Sequence, residues 1–272
     1  MSSHSLSTKF VTEVISSALS MYLALGVIAN NIFARNNGGS FGFGFVAFGF
    51  GMSFAVPLIM FDFVSAHLNP AMCTALLITG DIDWREFLVA SAGEYVGMFI
   101  GAFLMWAHYW PHFAISPGDD EAPATKDELA ADSKKKLACF ASTGPVVETH
   151  WLHTFFVETL CTTVFIASAL LVYSRHTQIG DVVERTEYRS NEGMWIGFMV
   201  FAMVLALAGM TPVSANPSRD LSPRLVHYIV PIKNKGPTNW KYATIPFLAS
   251  NLGGVAAGFV ARGLFSLTGF SL

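Results

Sequence analysis

Two short stretches place amide and charged side chains inside an otherwise apolar chain: SAHLNPAM at 65–72 and VSANPSRD at 213–220. Each holds an Asn-Pro pair, Asn69-Pro70 followed by Ala71 and Asn216-Pro217 followed by Ser218, with the two Asn residues 147 positions apart in a chain of 272. A side-chain amide donates two hydrogen bonds through nitrogen and accepts through oxygen. It therefore suits transient contact with a passing hydroxyl or water. Arg219, three residues beyond Asn216, adds a permanent cation with a planar set of donors. Glu13 in FVTEVISS and Glu158 in FFVETLCT precede the two Asn residues by 56 and 58 positions. Carboxylates at membrane depth are functional by default, as proton relays or as acceptors for backbone N–H groups. Their symmetric placement favours the second role, with His67 as a packed brace for its own loop. None of this is bond-making machinery, and the chain is not expected to be an enzyme.

The elements that must position these groups follow from composition. Hydrophobic residues make up 53% of the chain and charged residues 13%, with 24 Phe, whereas a soluble domain is about 25% charged. This is the composition of a multi-pass integral membrane protein. Six apolar stretches, 10–33, 41–63, 87–109, 151–173, 193–212 and 243–265, meet the roughly 20 residues a spanning helix needs. Two more, 69–79 and 217–230, are too short to cross. The runs are continuous rather than alternating, which argues against a barrel. A net charge of −3, with no basic patch interleaved with aromatics, excludes a nucleic-acid partner. Cys73, Cys139 and Cys161 are odd in number and widely spaced, giving neither a disulfide framework nor a zinc motif. No metal or cofactor is expected. The opening MSSHSLSTK lacks the features of a signal peptide, so the first span is expected to be retained. The connection 110–150, with GDDEAPATKDELAADSKKK, reads as a solvated loop holding one short helix.

The two halves, about 10–109 and 151–265, match within a single domain spanning 1–272. Besides the Glu to Asn-Pro spacing, the third span carries Gly97 and Gly101 and the sixth Gly254 and Gly258, small residues that let helices approach closely. A repeat of three spans must insert oppositely in its two copies, producing a pseudo-two-fold axis in the membrane plane. Asn is among the best N-cap residues and Pro is favoured in the first helical turn, so each pair starts a half-helix. In an inverted repeat the two half-helices meet N-terminus to N-terminus near the bilayer centre. The fold class is therefore all-α: six transmembrane helices plus two re-entrant half-helices. Non-helical backbone at that depth is tolerated only where protein buries it or water solvates it, which implies an aqueous path. Each half-helix directs about half a positive charge at the meeting point, repelling cations and protons.

HLNPA and NPSRD, together with the Glu-bearing spans, resemble the major intrinsic protein family, the aquaporins and aquaglyceroporins, over about residues 10–265. The resemblance implies a homotetramer with one pore per protomer, in the plasma membrane or an internal membrane. It implies a passive channel for glycerol and other small uncharged solutes, urea among them, that also passes water. Arg219 matches the family's constriction arginine, and Asp220 follows it as in the glycerol-conducting branch. Val204, twelve residues before Asn216, stands where water-selective members have His; Val213, three before, stands where glycerol channels have an aromatic. The second-span position is Phe48 by its FGFG context, or Gly49 by a strict count of 20 before Asn69. Glu94 replaces a frequent Gln, Ser218 a common Ala, and Gly144 in CFASTGP a usual aromatic. Pro57 in the second span is expected to kink it. A water-selective aquaporin, an ion-coupled secondary transporter and a structural protein that retains a channel fold are the alternatives.

Overall fold

The computed structural model describes residues 4–38, 41–119, 123–143, 150–175, 179–180 and 182–269. Lipid offers no hydrogen bonds to a backbone, so long apolar runs become helices that satisfy themselves. Among the described residues, six helices are long and apolar enough to cross a bilayer: α1 (Leu6–Ile32), α2 (Phe43–Phe61), α4 (Trp84–His108), α7 (Trp151–Ser174), α8 (Val182–Leu207) and α10 (Trp240–Thr268). The short α3 (Pro70–Thr79) and α9 (Pro217–Ile229) begin at the two Asn-Pro pairs. At 1.5 Å per residue they are about 15 and 20 Å long, well short of the roughly 30 Å hydrocarbon core. No strand occurs among the described residues.

The packing set repeats itself. α1 lies on α4 as α7 lies on α10, and α3 lies on α10 as α9 lies on α4. α1 touches α2 as α7 touches α8, and α2 meets α8 across the middle. Exchanging the first four of these helices for the last four leaves the list unchanged, as an inverted repeat requires. The glycine pairs, however, do not serve equivalent contacts. Side chains at Gly97 and Gly101 would collide with the α1 carbonyls of Val14 and Ala18, while Gly254 and Gly258 admit the half-helix α3 at Ala71 and Ala75. Aliphatic and aromatic side chains such as Phe48, Ile59, Leu160 and Phe259 stay exposed on the periphery.

Hydropathy located bilayer depth better than helix ends. α8 begins eleven residues before the expected 193, because ERTEYRSNE is polar but contains no helix breaker. It ends at Leu207 rather than 212, since the chain must turn there to deliver Val213 to Asn216. The connection after α4 is more ordered than a solvated loop. It contains the single-turn α5 (Trp110–Phe113) and α6 (Lys126–Ala138), the latter started by a Thr125–Glu128 capping box. Lys136 is buried, donating to Ile115 O, Lys233 O and Asp132 Oδ2, each at 2.7 Å. Outside the spans, Lys233 donates to Asp119 at 2.5 Å and lowers its pKa.

Candidate pore

The site is built on two matched turns. Leu68 and Ala215, the residues before each Asn, have φ of 58° and 46°, a left-handed conformation costing a non-glycine residue roughly 1–2 kcal/mol. Buried carboxylates hold the loops there. Glu13 accepts from Ser65 Oγ at 2.7 Å, His67 N at 2.8 Å and Leu68 N at 3.3 Å. Its Oε1 also lies 2.8 Å from His67 Nδ1. Glu158 accepts from Ser214 N at 2.9 Å. Glu94 adds a third grip, taking Asn69 N at 2.7 Å.

Asn69 and Asn216 then adopt nearly the same backbone, φ/ψ −160°/112° and −157°/114°. The oxygen of Asn69 caps α3 through Ala71 N at 2.9 Å, and that of Asn216 caps α9 through Ser218 N at 3.0 Å and Arg219 N at 3.2 Å. The extra hydroxyl of Ser218 joins the same cap at 2.8 Å. Each Nδ2 crosses to the other loop: Asn69 donates to Ala215 O at 2.8 Å and Asn216 to Leu68 O at 2.7 Å. The two half-helices therefore meet at their N-termini, tied by reciprocal hydrogen bonds. An amide nitrogen carries two hydrogens, so one on each Asn remains for a solute. The left-handed turns make this possible by aiming the Leu68 and Ala215 carbonyls at the opposite loop.

Beside this junction runs a narrow cavity that leaves about 40 Å³ for the centres of water-sized molecules. At roughly 10–15 Å³ per water, this is room for about three molecules. Phe50, Phe54, Val204 and Val213 supply apolar wall, and Asn69, Asn216 and Arg219 supply polar contacts. The Arg219 guanidinium lies 5.5 Å from the centre of the Phe50 ring. Its Nη1 is buried without a hydrogen-bond partner among the described residues. The Asp220 carboxylate hydrogen-bonds elsewhere. That carboxylate faces Arg224, 2.8 Å away, and accepts from Ser142 N at 2.7 Å.

Of the residues expected at the narrowing, the structure brings together Val204, Val213 and Arg219 but not Phe48. Phe48 is 42% exposed on the outer face of α2, edge-on to Phe201. Gly49 packs against Val27 of α1. The aromatics at the cavity are Phe50, Phe54 and Phe165, of which Phe50 lies against the Arg219 guanidinium. Two residues on a helix are separated by about 200°, so placing the ring two positions early turns it to the opposite face. Val213 has φ of 47°, an outlier for a β-branched residue. Pro70, Ala71, Pro217 and Ser218 lie in the first turns of α3 and α9, all buried. Gly144 falls outside the described residues.

Sequence reading also missed Arg224. It is fully buried, with guanidinium nitrogens donating to Asp220, to Thr238 O at 2.8 Å and to Ser142 O at 3.1 Å. The available signal was its position four residues after Asp220, a spacing that pairs side chains on one helix face. This pair fastens the 139–142 segment to α9.

A model of the Major intrinsic protein family matches residues 1–261. The chain belongs to that family. Among individual major intrinsic proteins, it is 32% identical to the "Glycerol uptake facilitator protein" of Bacillus subtilis over 259 residues, 95% of this chain and 85% of that one. It is 29% identical to the "D/L-lactic acid transporter" of Lactiplantibacillus plantarum over 262 residues, 95% and 98% of the two chains. The aquaglyceroporin of Plasmodium falciparum shares the fold, with a TM-score of 0.75 at 19% identity over 97% of this chain and 100% of that one. As a major intrinsic protein with six spanning helices, this chain is a multi-pass integral membrane protein.

Proposed function

We propose that the protein is a passive channel for glycerol and other small uncharged solutes such as urea, that water also passes, and that protons and ions are turned back. The observation carrying this reading is the pair of cross-tied Asn residues beside a cavity with apolar walls and an unpartnered Arg219 nitrogen. Relatives named glycerol uptake facilitators support the choice of solute. A polyol has an apolar carbon edge and a row of hydroxyls. Its carbons lie against Phe50, Val204 and Val213, and its hydroxyls accept from Arg219 and from the spare N–H of each Asn. A water accepting from both amides turns its hydrogens outward in both directions, which breaks a chain of proton transfers. A cation meets a guanidinium and two helix N-termini, whose partial charges are both positive.

Within this reading Glu13 and Glu158 are braces rather than proton relays, and His67 and Asp220 support the two loops. The whole chain acts as one channel unit, assembled as a homotetramer with one pore per protomer in the plasma membrane. The relative named as a lactic acid transporter favours a second solute. An undissociated hydroxy acid offers the same mixture of hydroxyl and carbon surface.

Proteoliposome swelling tests the proposal. Expected are glycerol and water fluxes that do not saturate and ignore proton or sodium gradients, with undissociated lactic acid as a further arm. Saturation with gradient dependence identifies a secondary transporter instead. Water flux without glycerol identifies a water-selective pore, and no flux a structural role.

A further inference from the structure

We infer that His67, Cys73 and Glu94 form a binding site for a divalent transition-metal ion of the zinc class, and that its occupancy closes the path beside Asn69. One imidazole nitrogen, the Cys73 sulfur and one Glu94 carboxylate oxygen all lie within 4.8 Å of one another. Zinc bonds of 2.0–2.3 Å in a tetrahedron put ligand atoms about 3.3–3.8 Å apart. The group therefore needs to contract by about 1 Å. The Cys73 thiol already meets this carboxylate, donating to Glu94 Oε1 at 3.3 Å.

A second observation separates this cluster from an ordinary buried hydrogen-bond network. Glu94 is fully buried, and while Oε1 holds both Asn69 N and the thiol, Oε2 has no partner. A buried carboxylate oxygen left unsatisfied asks for a cation or donor. Metal on Oε2 leaves the Oε1 grip on Asn69 in place. Glu13 contributes from behind, its Oε1 lying 2.8 Å from His67 Nδ1, the carboxylate–histidine arrangement that orients a metal-binding imidazole.

The donor set decides the ion. Sulfur and imidazole nitrogen select zinc and its softer relatives over magnesium or calcium, which prefer oxygen. The thiol binds as thiolate and releases its proton to solvent on coordination. His67 has 19% of its side chain exposed, giving the ion a way in. The ligands come from the turn before α3, from the first turn of α3 and from α4, so the metal ties the Asn69 half-helix to a spanning helix. The thiolate and carboxylate offset its charge, so its effect on the path comes from drawing the ligands together, which shifts the loop whose Asn69 lines the cavity. Sequence spacing gave no hint of this, because three ligands from three elements form no local motif.

Cadmium reports directly on thiolate coordination through its sulfur-to-metal ultraviolet band, and it is added to the purified full-length protein in detergent. One equivalent is expected to bind, with the band displaced by zinc. Cys73→Ser abolishes it, Glu94→Gln weakens binding, and Cys139→Ser with Cys161→Ser leaves it unchanged. If Cys73→Ser does not fold, Cys73→Thr serves in its place. In proteoliposomes zinc lowers wild-type flux, a chelator restores it, and the Cys73 variant is insensitive. Absence of the band, or equal strength in the Cys73 variant, overturns the site. A site present with zinc-insensitive flux overturns the closure. Protein that carries no flux before metal is added defeats the channel reading, while the cadmium band still decides the site.

Discussion

Arg219→Val is the perturbation that bears hardest on the proposed ion barrier. The guanidinium lies against the Phe50 ring, 5.5 Å from its centre, and lines the cavity, so a cation passing it comes to roughly 5 Å. Two unit charges about 5 Å apart repel by about 3 kcal/mol at an effective dielectric of about 20. This corresponds to about a hundredfold in passage rate. Removing the charge is therefore expected to raise proton or sodium leak by about that factor, while the two helix N-termini still oppose cations. The fold is expected to survive. The Arg219 backbone N–H continues to cap onto Asn216 at 3.2 Å, and the lost cation–ring contact of about 0.5–2 kcal/mol is offset by no longer burying a charge. The assay is dissipation of an imposed pH gradient in dye-loaded proteoliposomes, with glycerol swelling measured on the same vesicles. Glycerol flux that persists while leak stays within about threefold of wild type refutes the argument. Arg219→Lys keeps the charge and is expected to stay tight.

The remaining predictions concern the walls and the scaffold. Phe50→Ala is expected to change the glycerol-to-water permeability ratio and Phe48→Ala to leave it unaltered; the opposite pattern would return the ring position to Phe48. Val204→His with Val213→Phe, two substitutions on the cavity wall, narrows the path, and swelling assays are expected to show that ratio falling at least about tenfold, the size of a 1.4 kcal/mol barrier difference. Asp220→Ala strands the fully buried Arg224, an unpaired charge costing about 3–5 kcal/mol. Thermal unfolding in detergent is expected to show a marked fall in Tm, partly restored by adding Arg224→Met.

What could be read from the chain was whatever depends on local chemistry repeated in register. Apolar runs of spanning length give helices because lipid leaves the backbone no other partner. An Asn-Pro pair starts a helix wherever it sits, and two such pairs after matching Glu residues imply an inverted repeat. Arg219 was legible because it lies inside one of those motifs. Side-chain direction within a span was harder to read, since α2 is apolar on every face and gives no moment to orient it. Phe48 and Phe50 differ only in which way the helix is turned, and packing of α2 on α8 and α1 settles that in favour of Phe50.

The amino-acid order alone thus set the spanning helices, the two half-helices and the family. Tertiary structure decided the rest: the reciprocal ties between Asn69 and Asn216, the Asp220–Arg224 pair fastening a distant loop, and the grouping of His67, Cys73 and Glu94. Each joins atoms from separate helices or loops. Their distances follow from how those segments pack, and no local spacing encodes them.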